Sequence, residues 1–394
     1  MAIPLITNRR MAPERFPIGG GKKQIVVNAL AYKKNSSGIG VMLRELCRAY
    51  SRTVKRPCRV VMPQDSPDFP VGENTEFLRV PWEHSQGLRR ILFQAFIMGR
   101  RYCRNVVLLT TDSKCPFFLP KSCTLVPLIT DLAVYRMPEV YRHSRVFLWR
   151  LQYRYVRRRA DLFLAISEFT KKEMVELWHI PPEKVHIVPC ACSDTLGRET
   201  DPRRLRAVKE KYHLPEHFVL FVGNSNPRKN LTRLLRAFDG LKGRNDVPHQ
   251  LVIAGEQGWK FDKEKVLKNL KHRAAVRFIG FVPDEDMAVL YSAASLFVFP
   301  TLYEGFGIPV LEAQSCGVPV LTSNCASLPE VGGDGAYYVD PYSEKEIAEG
   351  IWKLLTRPEL AEKLARLGNE NVKRFSWEKS AGRLEEIIEK GVRV

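Results

Sequence analysis

Long hydrophobic runs are missing from this 394-residue chain. The longest apolar stretches, around residues 91–98 and 296–302, are shorter than the roughly 18 residues that a membrane-spanning helix needs. The first 23 residues contain prolines and arginines where a secretory signal peptide requires an apolar segment. We therefore expect a protein without a transmembrane helix that stays in the cytoplasm.

Clustered cysteines are also missing. The nine cysteines form no C-x-x-C pair, and Cys190 and Cys192 are too close together to form a metal clip. An odd number of dispersed cysteines is typical of a reducing compartment. The D-x-D pattern at 284–286 follows Pro283, where acidic residues are expected at the start of a helix. The sequence therefore predicts no metal site.

Acidic residues are scarce in the first half of the chain. Residues 1–200 hold 33 Lys and Arg against 17 Asp and Glu, whereas residues 201–394 hold 29 against 26. The net charge of +19 is therefore concentrated in the first half. Such a field attracts nucleic acid, an anionic membrane or phosphorylated small molecules. A basic nucleic-acid-binding protein is one alternative, but no nucleic-acid motif or aromatic platform accompanies the charge.

Short β-branched segments alternate with longer amphipathic segments along the whole chain, which is typical of α/β proteins with parallel sheets. The predicted strands are 24–29, 58–62, 106–110, 124–129, 161–166 and 185–188, followed by 217–222, 250–254, 276–279, 296–299, 318–322 and 336–339. The predicted helices are 40–51, 86–104, 139–159 and 169–178, followed by 230–241, 263–273, 284–293, 308–316, 344–355 and 358–375.

The polar, highly charged segment 191–215 separates the two halves, and a chain of this length is expected to form two domains. We predict a first domain at 1–195, a second at 196–375 and a last helix at 376–394 that returns to the first domain. Two doubly wound units in series place the carboxyl ends of two sheets across one cleft. The site is therefore expected between the domains.

The segment 299–312, FPTLYEGFGIPVLE, is the strongest local signal. An apolar strand leads through a turn with two glycines into a helix, whose Pro309 suits the first helical turn. Free N–H groups at such a helix start favour an anion or sugar hydroxyls. Glu304 and Glu312 bracket the turn, a spacing that suits two acceptors for different hydroxyls of one ligand. A structural role explains the same spacing, with Glu312 offsetting the helix dipole and Glu304 capping the turn.

A second segment, 221–230 (FVGNSNPRKN), places Arg228 and Lys229 just before a helix. Cations there oppose the helix dipole unless an anion lies between them, which suggests diphosphate binding. The alternative is a solvated loop with surface cations.

Three weaker signals lie in the first half. The Gly-x-Gly at 38–40 lacks the third glycine and the acidic residue of a dinucleotide fingerprint, but Gly38 and Gly40 permit close approach of a phosphate or an acceptor. Asp131, at the end of a strand, bonds a sugar hydroxyl or caps the next turn. The segment 88–101 has arginines at both ends of an apolar stretch, and it either lies on an anionic bilayer or forms ordinary core.

Together, these segments resemble the retaining glycosyltransferases of family 4, which are built on the GT-B fold of two Rossmann-like domains, and most of all their bacterial mannosyltransferase-type members. The resemblance covers most of the chain. It depends on EGFGIPVLE at 304–312, the loop at 223–230, ITDL at 129–132, SSGIG at 36–40 and AISEFTKKEM at 165–174.

The resemblance implies transfer of a hexose, namely mannose from GDP-mannose, with retention of configuration and without a metal or other cofactor. The implied acceptor is a saccharide or a polyprenyl-diphosphate-linked saccharide in bacterial surface polysaccharide or glycoconjugate synthesis. Peripheral contact with the inner face of the plasma membrane is also implied, and nucleic acid is not a partner. A sugar-nucleotide hydrolase or epimerase on the same fold is the nearest alternative.

The resemblance also assigns roles to single residues. Arg228 and Lys229 neutralise the diphosphate in place of a metal ion, Glu312 holds the ribose, Glu304 holds the transferred sugar and Asp131 belongs to the catalytic group. The remaining residues implied in donor, phosphate or acceptor binding are Gly223, Asn224, Val282, Gly305, Phe306, Gly307, Ile308, Gly38 and Gly40. Many family members carry a histidine that contacts the donor sugar at the position of Thr130 in this chain.

Overall fold

The computed structural model of the chain describes residues 23–33, 38–83, 85, 87–111, 115–244, 247–258 and 261–391. Three parts of the sequence predictions lie outside the described residues. These are the first 22 residues considered as a leader, the two serines of SSGIG, and the last three residues of the 376–394 helix.

Within this range, thirteen strands form two sheets. The strands are β1 (Gln24–Asn28), β2 (Cys58–Pro63), β3 (Thr75–Val80), β4 (Val106–Thr111), β5 (Thr124–Ile129), β6 (Phe163–Ala165), β7 (Val185–Ile187), β8 (Phe218–Val222), β9 (Gln250–Ala254), β10 (Val276–Gly280), β11 (Leu296–Phe299), β12 (Val320–Ser323) and β13 (Tyr337–Val339).

Helices surround both sheets. They are α1 (Ile39–Thr53), α2 (Gly87–Leu92), α3 (Met98–Tyr102), α4 (Ala133–Arg136), α5 (His143–Arg159), α6 (Glu168–Trp178), α7 (Pro202–Lys211), α8 (Leu231–Arg244), α9 (Lys263–Lys268), α10 (Asp284–Ala293), α11 (Ile308–Ser315), α12 (Leu328–Gly332), α13 (Glu344–Thr356), α14 (Pro358–Val372) and α15 (Trp377–Gly391). None of the helices in the described part of the chain has the length and apolar character to cross a bilayer.

Both sheets are parallel throughout and follow the Rossmann strand order. The first runs β3-β2-β1-β4-β5-β6-β7 and the second β10-β9-β8-β11-β12-β13. Counted from its own first strand, each sheet therefore begins 3-2-1-4-5-6, and the first sheet adds a seventh strand after the sixth. All six residues of β4 and of β5 are buried, as expected for central strands covered by helices on both faces. The predicted α/β class with two Rossmann-like domains is confirmed.

Several predicted elements were wrong in detail. The edge strand β3 was missed because only its last residue, Val80, is buried, so it lacks an apolar pattern. The segment 191–215, predicted as a polar connection between the domains, contains α7, which follows the capping Asp201 and buries only Val208. The predicted helix at 86–104 is α2, a π-helical turn (Phe93–Ile97) and α3 in succession.

The last helix, α15, packs on the first domain. Its apolar face, including Trp377 and Leu384, joins the same core as β1 and α1. Arg56 is buried and bonds the Glu385 carboxylate through Nε and Nη2 at 2.8–3.0 Å. The Tyr50 hydroxyl donates to the same carboxylate at 2.5 Å. A carboxylate on the last helix thus pairs with a buried cation of the first domain.

We expect Glu385→Ala to lower the free energy of unfolding by about 3 kcal/mol, because the buried Arg56 would lose its hydrogen-bonded carboxylate and keep only that of Glu389, 3.9 Å away. For a domain of this size, the melting temperature should fall by about 6–10 °C, as measured by circular dichroism. Glu386→Ala is the matched control, since Glu386 is exposed and pairs with the exposed Arg383 within one turn. Equal melting temperatures for the two variants would contradict the expectation.

Candidate active site

The predicted site segments meet where the carboxyl ends of the two sheets face each other. In the second domain, the turn after β11 lies beside the loop after β8, since the Leu302 N–H donates to the Arg228 carbonyl at 2.9 Å. In the first domain, Thr130 and Asp131 follow β5 and reach the same turn. The site therefore contains residues of both domains.

The loop after β8 holds its cations in a fixed geometry. Asn226 caps a short 3-10 turn (Pro227–Lys229) by accepting from the Arg228 N–H at 3.0 Å. Asn230 follows with φ of 60°, and its buried amide donates to the carbonyls of Pro300 and Pro341 at 2.8 and 2.7 Å. The loop is thereby bonded to the segment after β11, which aligns Arg228 and Lys229 with Glu304.

Two cations and two carboxylates form the centre of the site. Glu304 Oε1 lies 2.8 Å from Lys229 Nζ, and Glu304 Oε2 lies 3.3 Å from Arg228 Nη1. Asp131 Oδ2 is 3.8 Å from the same Arg228 nitrogen. The Lys229 ammonium also lies 4.6 Å above the Phe299 ring. The side chains of Arg228, Lys229 and Glu304 are at most 17% exposed, so water screens these charges weakly.

Burial and pairing shift the ionisation of this group. Burial tends to raise the pKa of the Glu304 carboxyl, but the charges of Arg228 and Lys229 outweigh it and hold that pKa below its ordinary value. Burial lowers the pKa of the Lys229 ammonium in spite of Glu304. Burial would also lower the pKa of Arg228, yet Glu304 and Asp131 raise it. Arg228 is therefore a permanent cation, whereas Lys229 is the more easily neutralised one.

The anion that the sequence required between the two cations is present in the protein itself. Glu304, 76 positions further along the chain from Arg228, fills that place. The conflict with the helix dipole is therefore no independent evidence for a diphosphate. One donor is still unused, because the buried Nε of Arg228 has no acceptor in the described part of the chain.

Glu312 is not part of this charge cluster and is held by a hydroxyl of α10. Its Oε2 accepts from the Tyr291 hydroxyl of α10 at 2.7 Å. Burial raises the pKa of the Glu312 carboxyl, although the hydroxyl partly opposes this. Val282, just before α10, is buried. Sequence reasoning missed Tyr291, because no motif around it in α10 points to a role in the site.

The turn between Glu304 and α11 depends on two glycines. Gly307 has φ of +110°, and a Cβ there would lie 2.7 Å from Leu328 Cδ2. A Cβ on Gly305 would lie 1.8 Å from the Thr130 carbonyl oxygen, so the two domains touch through backbone at this point. The N–H groups of Gly305, Phe306 and Gly307 have no acceptor among the described residues. Ile308 begins α11 beside them, so free donors gather at one helix start.

Further polar contacts fix the same turn to α6 of the first domain. The hydroxyls of Ser167 and Thr170 donate to the Gly305 carbonyl at 2.6 and 3.2 Å. The Tyr303 hydroxyl accepts from the Leu132 N–H at 3.0 Å and donates to the buried Glu173 carboxylate. Sequence reasoning quoted AISEFTKKEM without giving these side chains a role. No local pattern identifies them, because their partners belong to the other domain.

The structure also places the residues of the weaker predictions, whose roles in binding stay predictions. Asp131 caps the next turn, accepting from the Ala133 N–H at 3.0 Å through Oδ1, while its second oxygen faces Arg228. Gly38 precedes α1 with φ of +56° and open space around it, whereas Gly40 is buried in the first turn. Gly223 has φ of +149°, and its carbonyl touches Gly255.

The D-x-D pattern lies at the start of α10, as expected, and its outer carboxylates are paired. Asp284 Oδ2 accepts from the Arg44 guanidinium of α1 at 3.3 Å, across the cleft. Asp286 accepts from Lys211 and from the Tyr212 hydroxyl, both at 2.6 Å. These contacts give the acidic cluster structural partners in both domains.

Comparison with known proteins identifies two sequence families. Residues 204–371 match the model described as glycosyl transferases group 1, and residues 124–195 match glycosyltransferase family 4. The chain is 36% identical over 269 residues to the O-antigen chain mannosyltransferase B of Escherichia coli, covering 66% of this chain and 69% of that protein.

Solved structures share the whole architecture. Sucrose-phosphate synthase from Thermosynechococcus elongatus superposes with a TM-score of 0.73 at 19% identity, covering 94% of this chain and 99% of that one. HepE of Anabaena, determined with UDP and glucose, gives a TM-score of 0.69 at 17% identity, covering 93% and 100%. The fold is thus the GT-B arrangement of two facing Rossmann-like domains.

Proposed function

Because the chain belongs to glycosyltransferase family 4 and is a hexosyltransferase, we propose that it transfers mannose from GDP-mannose, with retention of configuration. The acceptor is a saccharide or a polyprenyl-diphosphate-linked saccharide, and the reaction belongs to the synthesis of bacterial surface polysaccharide or glycoconjugate. The name of the Escherichia coli relative supports mannose and a surface polysaccharide. The UDP complex of HepE supports a nucleotide-sugar donor of some kind.

The observation that carries this proposal is the buried charge cluster next to free backbone donors. Arg228 and Lys229 lie on one side of Glu304, and the N–H groups of Gly305–Gly307 follow it in the chain. A diphosphate entering here meets two cations, the unused Nε–H of Arg228 and a helix start. It would compete with Glu304 for the cations, which would free that carboxylate to accept from sugar hydroxyls.

In the proposed reaction, the bond between the sugar C1 and the leaving phosphate breaks while the acceptor hydroxyl attacks C1 from the same face. Negative charge develops on the leaving phosphate, where Arg228 and Lys229 stabilise it. The acceptor proton passes to that phosphate, so the protein supplies no general base. Arg228 and Lys229 take the place of a metal ion, and a chelator should leave the rate unchanged.

Around that centre, we assign Glu312 to the ribose hydroxyls, with Tyr291 holding its orientation through the 2.7 Å hydrogen bond. Backbone near Val282 meets the base. Asp131 contacts the transferred sugar where other family members carry a neighbouring histidine, and Gly38 borders the acceptor. The enzyme also contacts the anionic face of the membrane that holds its acceptor.

A donor panel tests the proposal. We expect GDP-mannose to raise the melting temperature of the protein more than UDP-glucose, UDP-galactose or GDP alone, because a ligand that binds only the native state stabilises it more, the further its concentration exceeds its dissociation constant. Turnover with an acceptor, and none without one, separates a transferase from a hydrolase or epimerase. A larger shift of the melting temperature with another nucleotide-sugar would identify that compound as the donor in place of GDP-mannose. Altered sugar produced without acceptor would refute the transfer reaction.

The affinity for nucleoside diphosphate should fall at alkaline pH. The pKa of Lys229 is lowered by burial, so the ammonium is charged below that pKa and neutral above it. As the pH rises through this value, the dissociation constant of GDP should increase by up to about tenfold per pH unit. Calorimetric titrations with GDP at a series of neutral to alkaline pH values measure this dissociation constant.

Lys229→Arg is the control for this pH dependence, since a guanidinium stays charged over the whole range. The variant should bind with a nearly constant dissociation constant. A wild-type affinity that does not change with pH would show that the Lys229 charge plays no part in binding.

A further inference from the structure

The first turn of α6 is capped in part by a carboxylate of the other domain. Glu330 lies in α12, and its Oε1 accepts from the Glu168 N–H at 2.9 Å while its Oε2 accepts from the Phe169 N–H at 3.2 Å. Ser167 is the N-cap residue of α6 and accepts from the Thr170 N–H at 3.0 Å. The first three N–H groups of the helix are therefore shared between a local cap and a residue of the second domain.

Backbone donors are what stabilise the charge of Glu330. No side chain in the described part of the chain forms an ion pair with this carboxylate, and Arg374 bonds the main-chain carbonyl of Glu330 instead, at 3.5 Å. The negative charge is stabilised by the two N–H groups and by the positive end of the α6 dipole. Both belong to the first domain, so the carboxylate keeps its partners only while the two domains are in contact here.

The segment that carries Glu330 also holds the turn of the candidate site. The buried Ser327 hydroxyl lies 2.9 Å from the Glu304 carbonyl oxygen and 2.7 Å from the Phe306 carbonyl oxygen. Three residues later in the chain, Glu330 reaches α6. The segment 327–330 therefore connects the turn after Glu304 to the first domain through a single short stretch of chain.

On the first domain, the start of α6 is connected to the other half of the site. α6 follows β6 directly, and β6 pairs with β5 through Leu128 and Ile129. The next two residues of the chain are Thr130 and Asp131, whose carboxylate faces Arg228. A shift of α6 relative to α12 would therefore also move Asp131 relative to the cations of the second domain.

We propose that Glu330 is a positioning residue for the transfer reaction. By accepting from two N–H groups of α6, it holds the end of β5 and the acceptor side of the site against the turn after Glu304. A role confined to the folding of the second domain does not explain the contact, since both hydrogen bonds lead out of that domain. The inference rests on the proposed function, because it requires transfer from a donor on the second domain to an acceptor on the first.

Glu330→Gln tests the role of the carboxylate, because it removes the charge and replaces one acceptor oxygen by an amino group that cannot accept. We expect kcat to fall by about tenfold, the effect of losing one helix cap. The dissociation constant of GDP should change much less, since Arg228, Lys229 and Glu312 all belong to the second domain. The melting temperature in circular dichroism should also change little. A merely structural role would instead lower stability and GDP affinity together with kcat.

Glu168→Pro tests the same contact from the other side, because proline has no N–H to donate to Glu330. Glu168 is the first residue of α6, where proline is well tolerated, and Ser167 before it has extended backbone with φ of −155° and ψ of 162°. We expect kcat to fall by about fivefold, for the loss of one of two hydrogen bonds. Glu168→Ala is the matched control, since it removes the same exposed side chain, keeps the N–H and should have the wild-type kcat.

The double variant, Glu330→Gln with Glu168→Pro, shows whether both changes act through one contact. Its kcat should equal that of Glu330→Gln within about twofold, because a contact that is already lost cannot be lost again. A wild-type kcat in Glu330→Gln, equal kcat values for Glu168→Pro and Glu168→Ala, or multiplied losses in the double variant would each overturn the proposal.

Hydrogen exchange, measured by mass spectrometry on the peptide 163–175, gives a readout that needs no donor. The amide protons at the start of α6 should exchange about tenfold faster in Glu330→Gln than in the wild type. Unchanged exchange would overturn the proposed contact. Faster exchange without any turnover of GDP-mannose by the wild type would support the contact and refute the donor assignment, so the two failures are distinguishable.

Discussion

Lys229→Ala is expected to lower kcat by about a hundredfold to a thousandfold while the protein stays folded. The ammonium lies 2.8 Å from Glu304 and is largely buried, where one charge aimed at a leaving phosphate has its greatest effect. Structure should survive, because Glu304 keeps Arg228 as its partner at 3.3 Å. Steady-state kinetics with donor and acceptor measure kcat, and a thermal melt of the variant shows whether the fold is retained.

Lys263→Ala is a closely matched control for this experiment. The Lys263 ammonium also lies 4.6 Å above a phenylalanine ring, that of Phe278, but it has no carboxylate partner in the described part of the chain. Loss of a cation–π contact is therefore common to both variants, and loss of charge from the site is specific to Lys229. A Lys229→Ala enzyme with the wild-type rate would refute the assigned role of the cation.

The expected fall in kcat and in kcat/KM also distinguishes two ways in which the cation acts. If Lys229 stabilises only the charge that develops on the leaving phosphate, both quantities should fall equally. If it binds the ground-state diphosphate as strongly, KM should rise as well. The expected dependence of GDP affinity on the Lys229 charge favours the second, so KM should rise along with the fall in kcat.

Much of the fold was predictable because central parallel strands are apolar along their whole length. β5 shows this in TLVPLI, where every residue is buried. The failures occurred where burial is slight. β3 buries only Val80 and α7 only Val208, so neither contrasts with the polar segments around it.

The chemical centre was also predictable in part. Strand, glycine turn and helix follow each other locally, so the carboxyl ends of β8 and β11 could be expected to bring Arg228 and Glu304 together. The prediction did not specify that Glu304 pairs with both cations. That pairing depends on the distance between two loops, which sequence spacing does not determine.

Contacts between the domains were beyond prediction. Ser167, Thr170 and Glu173 read as an ordinary helix start, in which Ser167 caps α6. Their second role, holding Gly305 and Tyr303, requires the relative orientation of two domains. No local periodicity encodes an orientation, so such residues become visible only in the structure.

Gly305→Ala is expected to lower kcat by about a hundredfold or more. The added Cβ would lie 1.8 Å from the Thr130 carbonyl oxygen, and backbone cannot swing aside as a flexible side chain does. The turn must therefore shift or the domains must part, which would also strain the hydrogen bonds from Ser167 and Thr170. Either movement displaces the neighbouring Glu304, and a displacement of about 1 Å at a reacting centre costs about a hundredfold.

Donor affinity should distinguish this effect from simple unfolding of the site. Arg228, Lys229 and Glu312 all belong to the second domain and lie outside the displaced turn, so the affinity of Gly305→Ala for the nucleoside diphosphate should fall much less than kcat. Gly240→Ala in α8 is the matched control, because its Cβ would meet nothing within 4 Å and alanine favours a helix by about 1 kcal/mol. Calorimetry and initial rates measure the two quantities on the same preparations. A Gly305→Ala enzyme with normal kcat would show that the contact between Gly305 and Thr130 is not required for transfer.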